Sequence, residues 1–338
     1  MAPTTLQHRR THNLLLISKL LSQRENVSPF TLIVDNLEQS GKPVLREYIR
    51  RATTEVIFVS FESLKKPKDV GVFVKAWENG VQQVQKEVSA LIAKATQTQQ
   101  RKLYGMLLII DNLNTLASDP STAANLPALL SSFLSPTVSL VAVYHADIPI
   151  PPSISFASPY TPQPLTVLKY LATTILTTHA LNHILAAKAA RERSVAEPVF
   201  GLAEETEGVL LGLGGNAPSG LVLEMEYRRK SGRGVREWYF LPHPALQKQE
   251  AVGIRNRFSE TVMLLEDHVL YRRPAEEKEQ AADDMDVTFE LGLTDRQRQA
   301  REGVVLPYFD AQKGGGDGGR ILYDMGEEDD FDEEEDEI

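Results

Sequence analysis

The stretch FTLIVDNLEQSGKPVLREYIRRA, residues 30–52, decides the fold, because it predicts a buried strand, a polar loop and a helix in succession. Residues 31–34 form an apolar run typical of a buried strand. Apolar residues then recur at helical spacing over residues 43–52, and Pro43 suits a first helical turn, where its missing N–H has no intrahelical partner. A strand, a glycine–lysine loop and a helix in this order are the layout of a phosphate-binding P-loop.

The loop lacks half of the residues that bind a nucleotide. A working P-loop reads G-x-x-x-x-G-K-[ST]: its glycines let backbone N–H groups reach phosphate, and its hydroxyl holds Mg²⁺. Alignment on Gly41 and Lys42 places Asn36 at the first glycine and Pro43 at the hydroxyl. Pro43 offers neither hydroxyl nor N–H, and Glu38 adds a carboxylate where a polyanion would lie. We interpret the segment as a degenerate P-loop and expect no bound cofactor; an active ATPase with an unusual nucleotide loop is the alternative.

Strands and helices continue to alternate over residues 31–147. The predicted strands are residues 55–61, 107–111 and 137–145, and the predicted helices are residues 77–94 and 122–134. Such strands pair in parallel, because parallel neighbours need crossover connections. Asp111 ends the third strand, where P-loop ATPases keep the acid that organises their metal, although an aspartate there also serves turns and caps. The order and spacing predict an α/β fold with a RecA-like, P-loop-type core and a central, largely parallel sheet.

The second half of the chain predicts a segment of ambiguous structure, a strand and a β-hairpin, followed by a C-terminal extension and an acidic tail. Residues 166–193 fit either one long helix or a short helix followed by a strand, since residues 173–178 are rich in β-branched side chains. Gly208 to Leu213 reads as a strand, and residues 221–229 and 235–241 form a hairpin around the turn KSGRG. The domains expected are a RecA-like domain (1–272), a C-terminal extension (273–323) and an acidic tail (324–338).

Composition excludes several classes of protein. The chain has 338 residues, a net charge of −10 and no cysteine, so disulfides and thiolate zinc sites are excluded. Of its 46 acidic residues, eleven lie in residues 324–338, which leaves 35 against 36 basic residues elsewhere. This tail is either a disordered solubilising end or a segment that docks on a basic partner. No apolar run approaches the roughly 20 residues of a membrane span, so we expect no membrane association.

Two clusters of side chains are candidates for binding. The basic residues at the hairpin tip suit contact with RNA phosphates, although a solvated turn is the simpler interpretation. These residues are Arg228, Arg229, Lys230 and Arg233. His179 and His183 have the i, i+4 spacing of a helical metal pair, but no carboxylate follows at ligand spacing, so we expect no metal site.

The C-terminal segments resemble a known family. VTFELGLTDRQRQAREGVVLPYFDAQ (287–312) and GGRILYDMGEEDDFDEEEDEI (318–338) resemble the C-terminal signature of the Elongator complex protein 5 family. LIVDNLEQSGKPVLREYI (32–49) and LATTIL (171–176) are similar to core segments of the same family.

The resemblance implies a RecA-like subunit that is not an enzyme and has no working P-loop. It implies assembly with Elongator proteins 4 and 6 into a hetero-hexameric ring, found in the cytoplasm and nucleus with the remaining Elongator subunits. That ring contacts tRNA and supports modification of the wobble uridine, U34, while the chemistry lies on another subunit. A protein-only adaptor that never meets nucleic acid is a further alternative.

Overall fold

The computed structural model describes residues 5–23, 28–98, 105–123, 125–149, 162–200, 216–229, 231–243 and 262–272. Within these residues, nine strands form one sheet: β1 (Phe30–Asp35), β2 (Glu55–Ser60), β3 (Val72–Lys75), β4 (Met106–Ile110), β5 (Val138–His145), β6 (Thr174–His179), β7 (Gly220–Arg228), β8 (Gly234–Pro242) and β9 (Met263–Leu264). The helices are α1 (Thr5–Ser22), α2 (Lys42–Arg51), α3 (Val81–Thr98), α4 (Asn114–Ser118), α5 (Pro120–Ala123), α6 (Leu126–Phe133), α7 (Pro164–Leu171) and α8 (Leu181–Glu192). A 3-10 turn, Leu265–Asp267, follows β9.

The strands follow the order β3-β2-β4-β5-β1-β6-β7-β8-β9. The first six strands in this order are parallel, and β7, β8 and β9 extend the sheet as antiparallel strands. The predicted α/β class is therefore confirmed, with its largely parallel central sheet and its C-terminal hairpin.

The sheet is buried on both faces, as the alternation along β1 shows. Leu32 and Val34 point into a core formed with α3, α4, α6 and α7, whereas Ile33 points into a core formed with α1 and α2. All six residues of β1 are buried. Because a parallel sheet buried on both faces needs apolar side chains at every position, its strands read as continuous apolar runs rather than alternating ones.

Several boundaries differ from the sequence-based expectations. β3 was not predicted, because it is a four-residue edge strand that pairs only with β2. The helix expected from Trp77 begins at Val81, after a turn in which Val84 N–H bonds to Gly80 O. The helix expected over residues 122–134 is divided into α5 and α6, with Pro127 in the first turn of α6.

The ambiguous segment 166–193 contains a strand between two helices. Its β-branched residues form β6, which pairs with β1 through Thr31 and Thr174. Helix α7 precedes this strand and helix α8 follows it, so the interpretation as one long helix is wrong.

Some expectations fall outside the residues described. These are the strand Gly208 to Leu213, the C-terminal extension 273–323 and the acidic tail 324–338, and the division into domains stays a prediction. Across the described part of the chain, no helix is both long and apolar enough to cross a bilayer.

Candidate functional site

The loop 36–41 lies at the carboxyl end of β1, where β1 runs between β5 and β6. In open α/β sheets, ligands bind beside such strand ends. Gly41 immediately precedes α2, and Pro43 occupies the first turn of that helix. A Cβ at residue 41 would lie 2.9 Å from Ile33 Cγ2 and 3.3 Å from Asp35 Oδ2. Close packing against β1 therefore explains the glycine without reference to phosphate.

The backbone donors of this loop bond to other groups of the chain. In a working P-loop, such N–H groups cradle the phosphates. Here four of them donate to side-chain oxygens: Leu37 to Asp147 Oδ2 (2.5 Å), Gln39 to Asn36 Oδ1 (2.9 Å), Ser40 to Asn216 Oδ1 (2.9 Å) and Gly41 to Asp35 Oδ2 (2.7 Å). Two of the acceptors are carboxylates, so negative charge already lies where a phosphate would bind.

Lys42 is the first member of a chain of paired ionisable groups. Its Nζ donates to Glu62 Oε1 at 2.7 Å, and Glu62 Oε2 lies 3.1 Å from His145 Nε2. His145 Nδ1 lies 2.5 Å from Asp35 Oδ1. We call Lys42, Glu62, His145 and Asp35 the relay; its charges alternate in sign, so each group stabilises the charge of its neighbours.

The relay shifts the pKa values of its two middle members. Burial alone would lower the pKa of His145, but the carboxylate of Asp35 and then that of Glu62 outweigh it and raise this pKa. Burial alone would raise the pKa of Glu62, but Lys42 and then His145 outweigh it and lower this pKa. The protonated imidazole and the ionised carboxylate therefore favour each other.

Asp111 supports the loop that carries Glu62. Its carboxylate accepts hydrogen bonds from four groups: Ser60 Oγ (2.8 Å), Phe61 N–H (2.6 Å), Ser63 N–H (2.8 Å) and Glu62 N–H (3.2 Å). Asp111 is buried, with 4% of its surface exposed. The position that matches a metal-organising acid in sequence thus caps the end of β2 and fixes the position of Glu62.

Sequence reasoning did not predict the relay members Asp35, Glu62 and His145. Asp35 and His145 are direct partners in the pairing of β1 with β5, although these strands are far apart in the chain. The available signal was an ionisable residue at the end of each apolar run. Without the strand order, this signal does not show which of the ionisable residues pair with each other.

The hairpin tip lies at the opposite end of the sheet from loop 36–41. Tyr227 pairs with Thr174, the first residue of β6, so Arg229 and residues 231–233 project beyond the amino ends of the parallel strands. Arg229 and Arg233 are exposed there and are joined by a backbone hydrogen bond of 3.0 Å. Lys230 lies outside the residues described.

Arg228 differs from these neighbours, because its guanidinium supports the fold. Its Nη1 donates to the carbonyl oxygens of Lys169 (2.6 Å), Tyr170 (3.2 Å) and Ala172 (3.3 Å) at the end of α7. Its Nη2 also pairs with Glu226 at 3.0 Å. Arg228 is one of the predicted RNA contacts, but its guanidinium group is bonded to other groups of this protein.

His179 and His183 do not face a common position. His179 lies 3.4 Å from Glu224 and packs against Trp238, whereas His183 lies 3.4 Å from Glu38 and stacks on a different ring. Within the described ranges, no three metal-binding side chains are grouped closely enough to hold an ion.

Comparison with known proteins identifies relatives across almost the whole chain. The family model for "Elongator subunit Iki1" matches residues 16–324. Elongator complex protein 5 of Schizosaccharomyces pombe (strain 972 / ATCC 24843) is 28% identical over 337 residues, covering 95% of this chain and 98% of that protein. Elongator complex protein 5 of Saccharomyces cerevisiae (strain ATCC 204508 / S288c) is 27% identical over 345 residues, covering 96% and 97%.

Solved structures are similar at much lower identity. The RadB recombinase has a TM-score of 0.36 and 11% identity, covering 64% of this chain and 89% of that one. A DnaB-like replicative helicase has a TM-score of 0.36 and 10% identity, covering 63% and 57%.

Proposed function

Since the chain belongs to the Elongator subunit Iki1 family, we propose that it is a non-catalytic subunit of Elongator that contributes surface rather than nucleotide chemistry. We further propose that it assembles with Elongator proteins 4 and 6 into a hetero-hexameric ring of RecA-like domains. The ring binds tRNA and, with the remaining Elongator subunits, supports modification of U34 in the cytoplasm and nucleus. Membership of the family across residues 16–324 supports this assignment.

The observation that carries the non-catalytic role is that the N–H groups of the loop at the end of β1 are already hydrogen-bonded to side chains of this protein. Binding a triphosphate requires that the loop N–H groups leave Asp35 and Asp147, and that Lys42 leaves Glu62. Hydrogen bonds to charged groups are worth about 1.5–3 kcal/mol each, so a nucleotide would have to compensate several of them. Pro43 supplies no hydroxyl for the metal in return. These contacts disfavour the alternative of an active ATPase.

A ring suits a domain of this kind. Head-to-tail contacts between RecA-like domains use two different surfaces of each subunit, and such contacts close only when the rotation returns to its start. A subunit without nucleotide chemistry still supplies both surfaces. The exposed residues Arg229 and Arg233 support the proposed contact with tRNA, because guanidinium groups bind phosphate well.

Calorimetry on the full-length chain tests the non-catalytic role. We expect no measurable heat when MgATP is added to wild type, to Lys42→Ala or to the exposed-lysine control Lys65→Ala. Saturable binding by wild type and Lys65→Ala that disappears in Lys42→Ala would overturn the assignment. Co-expression with Elongator proteins 4 and 6 tests assembly: we expect the three chains to co-purify in equal amounts, and elution of this chain alone would contradict the ring.

A further inference from the structure

A cleft of about 500 Å³ separates the amino-terminal half of α1 from the β7–β8 hairpin. Its walls carry His8, Arg9 and His12 from α1 and Arg229 and Arg236 from the hairpin. All five side chains belong to exposed residues. None of the α1 residues was singled out by the sequence, because α1 meets the hairpin only in the folded chain.

Hydrogen bonds join the two walls of the cleft. Asn13 Nδ2 donates to Glu237 Oε2 at 2.6 Å, and the Tyr239 hydroxyl donates to Asn13 O at 2.9 Å. Tyr239 and Asn13 are both buried. Arg10 of α1 also pairs with Asp267, in the 3-10 turn that follows β9, at 2.5 Å. These bonds fix the helix against the hairpin, so the positions of the basic groups are preorganised.

The charges in the cleft favour an anion. Glu226 pairs with Arg236 at 2.9 Å and also with Arg228, which offsets part of their positive charge. Glu237 accepts the bond from Asn13 described above. Among the side chains that the structure describes, Arg9 and Arg229 form no ion pair with a carboxylate. Their guanidinium groups are therefore available to a ligand, with the two imidazoles beside them.

The surroundings favour a phosphodiester backbone over an acidic peptide. Guanidinium groups bind phosphate through paired, geometrically matched hydrogen bonds. Among the described residues that line the cleft, only Val235 has an apolar side chain. Interfaces with nucleic acid are more polar and more positively charged than interfaces with proteins. Protein partners are usually anchored by buried aromatic or apolar side chains, for which this cleft offers little contact surface.

We propose that the cleft between α1 and the β7–β8 hairpin binds phosphates of an RNA backbone, with Arg9 and Arg229 as the principal contacts. This inference rests on the RNA-binding role proposed above and adds α1 to it. It also separates the RNA surface from the degenerate P-loop. The cleft lies at the hairpin end of the sheet, whereas the carboxylates of Asp35, Glu62 and Asp147 surround the loop at the opposite end.

The test compares two charge reversals of equal size. The cleft variant is Arg9→Glu with Arg229→Glu, and the control is Lys65→Glu with Lys86→Glu, both exposed lysines far from the cleft in the chain. Binding of fluorescein-labelled tRNA is measured by anisotropy from 50 to 200 mM KCl. The protein is the full-length chain, both alone and co-expressed with Elongator proteins 4 and 6. Circular dichroism checks that each variant folds.

We expect the cleft variant to lose at least about ten-fold in affinity, because each neutralised phosphate contributes a salt-dependent factor. The slope of log affinity against log salt should fall by about 1.4–1.8, which corresponds to two lost phosphate contacts. The control should change affinity less than about three-fold. Arg9→Lys with Arg229→Lys should keep most of the slope, since charge alone determines counterion release.

Four outcomes overturn the cleft proposal. Equal losses in both charge-reversal variants indicate a response to net charge only, and no loss in the cleft variant removes the cleft from RNA binding. A cleft variant that keeps RNA affinity but no longer co-purifies shows that the cleft holds an acidic protein surface. Wild type that co-purifies with its partners but binds no tRNA refutes the RNA role alone. Failure of wild type to co-purify, by contrast, refutes the proposed ring whatever the RNA result.

Discussion

Replacing the buried carboxylate of the relay, Asp35→Asn, should destabilise the protein by about 2–4 kcal/mol. Asp35 is 3% exposed; its Oδ2 accepts from Gly41 N–H at 2.7 Å, and its Oδ1 lies 2.5 Å from His145 Nδ1. Hydrogen bonds to charged groups contribute about 1.5–3 kcal/mol each. An asparagine oxygen keeps a neutral bond to Gly41, but its amide group no longer balances the charge on His145. The two weakened bonds give the expected loss.

The sign of the pH dependence follows from His145. Its pKa in the folded protein is raised above the ordinary value of 6.5, chiefly because the carboxylates of Asp35 and Glu62 outweigh burial. A group with a raised pKa stabilises the fold fully below its unfolded pKa, and this stabilisation is lost as pH rises through the folded pKa. Asp35→Asn removes the main cause of the shift. The stability gap between wild type and variant should therefore be largest below pH 6.5 and should shrink at higher pH.

Urea denaturation at pH 6 and pH 9, followed by the fluorescence of Trp77 and Trp238, measures both effects. Asp69→Asn is the matched control, because it makes the same chemical change at an exposed residue. The φ of 66° at Asp69 suits asparagine equally well, so we expect a change within about 0.5 kcal/mol. A loss at Asp35 no greater than at Asp69, or a gap that widens as pH rises, would refute the reasoning.

Two further substitutions test the packing of the loop and of the hairpin. Gly41→Ala should lower the free energy of unfolding, measured by urea denaturation, by about 1–3 kcal/mol, because its Cβ would lie 2.9 Å from Ile33 Cγ2. The control Gly80→Ala should cost nothing, because no atom lies within 4 Å of its Cβ. Equal effects of the two substitutions would contradict the close-packing argument. Arg228→Ala should cost about 1–3 kcal/mol, because it leaves carbonyl oxygens at the end of α7 without their donor, whereas Arg233→Ala should stay within about 0.5 kcal/mol. A mild effect at Arg228 would show that these bonds do not support the fold.

The fold was largely predictable because its strongest signals are local. The apolar runs that became β1, β2, β4 and β5 are buried on both faces, so their composition alone marks them as strands. The short edge strand β3 lacks that signal, since four residues with one paired side carry little pattern. The segment 166–193 stayed ambiguous because β-branched residues are tolerated in helices. Pairing with β1 made its central part a strand.

The sequence by itself determined what the loop after β1 lacks. Proline at residue 43 has no N–H and no hydroxyl in any fold, and asparagine at residue 36 is not a glycine, so these losses are readable from the letters. Only the tertiary structure decided what replaced the lost chemistry. Asp35 and His145 are 110 residues apart in the chain and meet because β5 pairs beside β1. Covalent chemistry is fixed residue by residue, whereas the partner of a buried charge depends on which strands become neighbours, and the strand order is set by packing across the whole sheet.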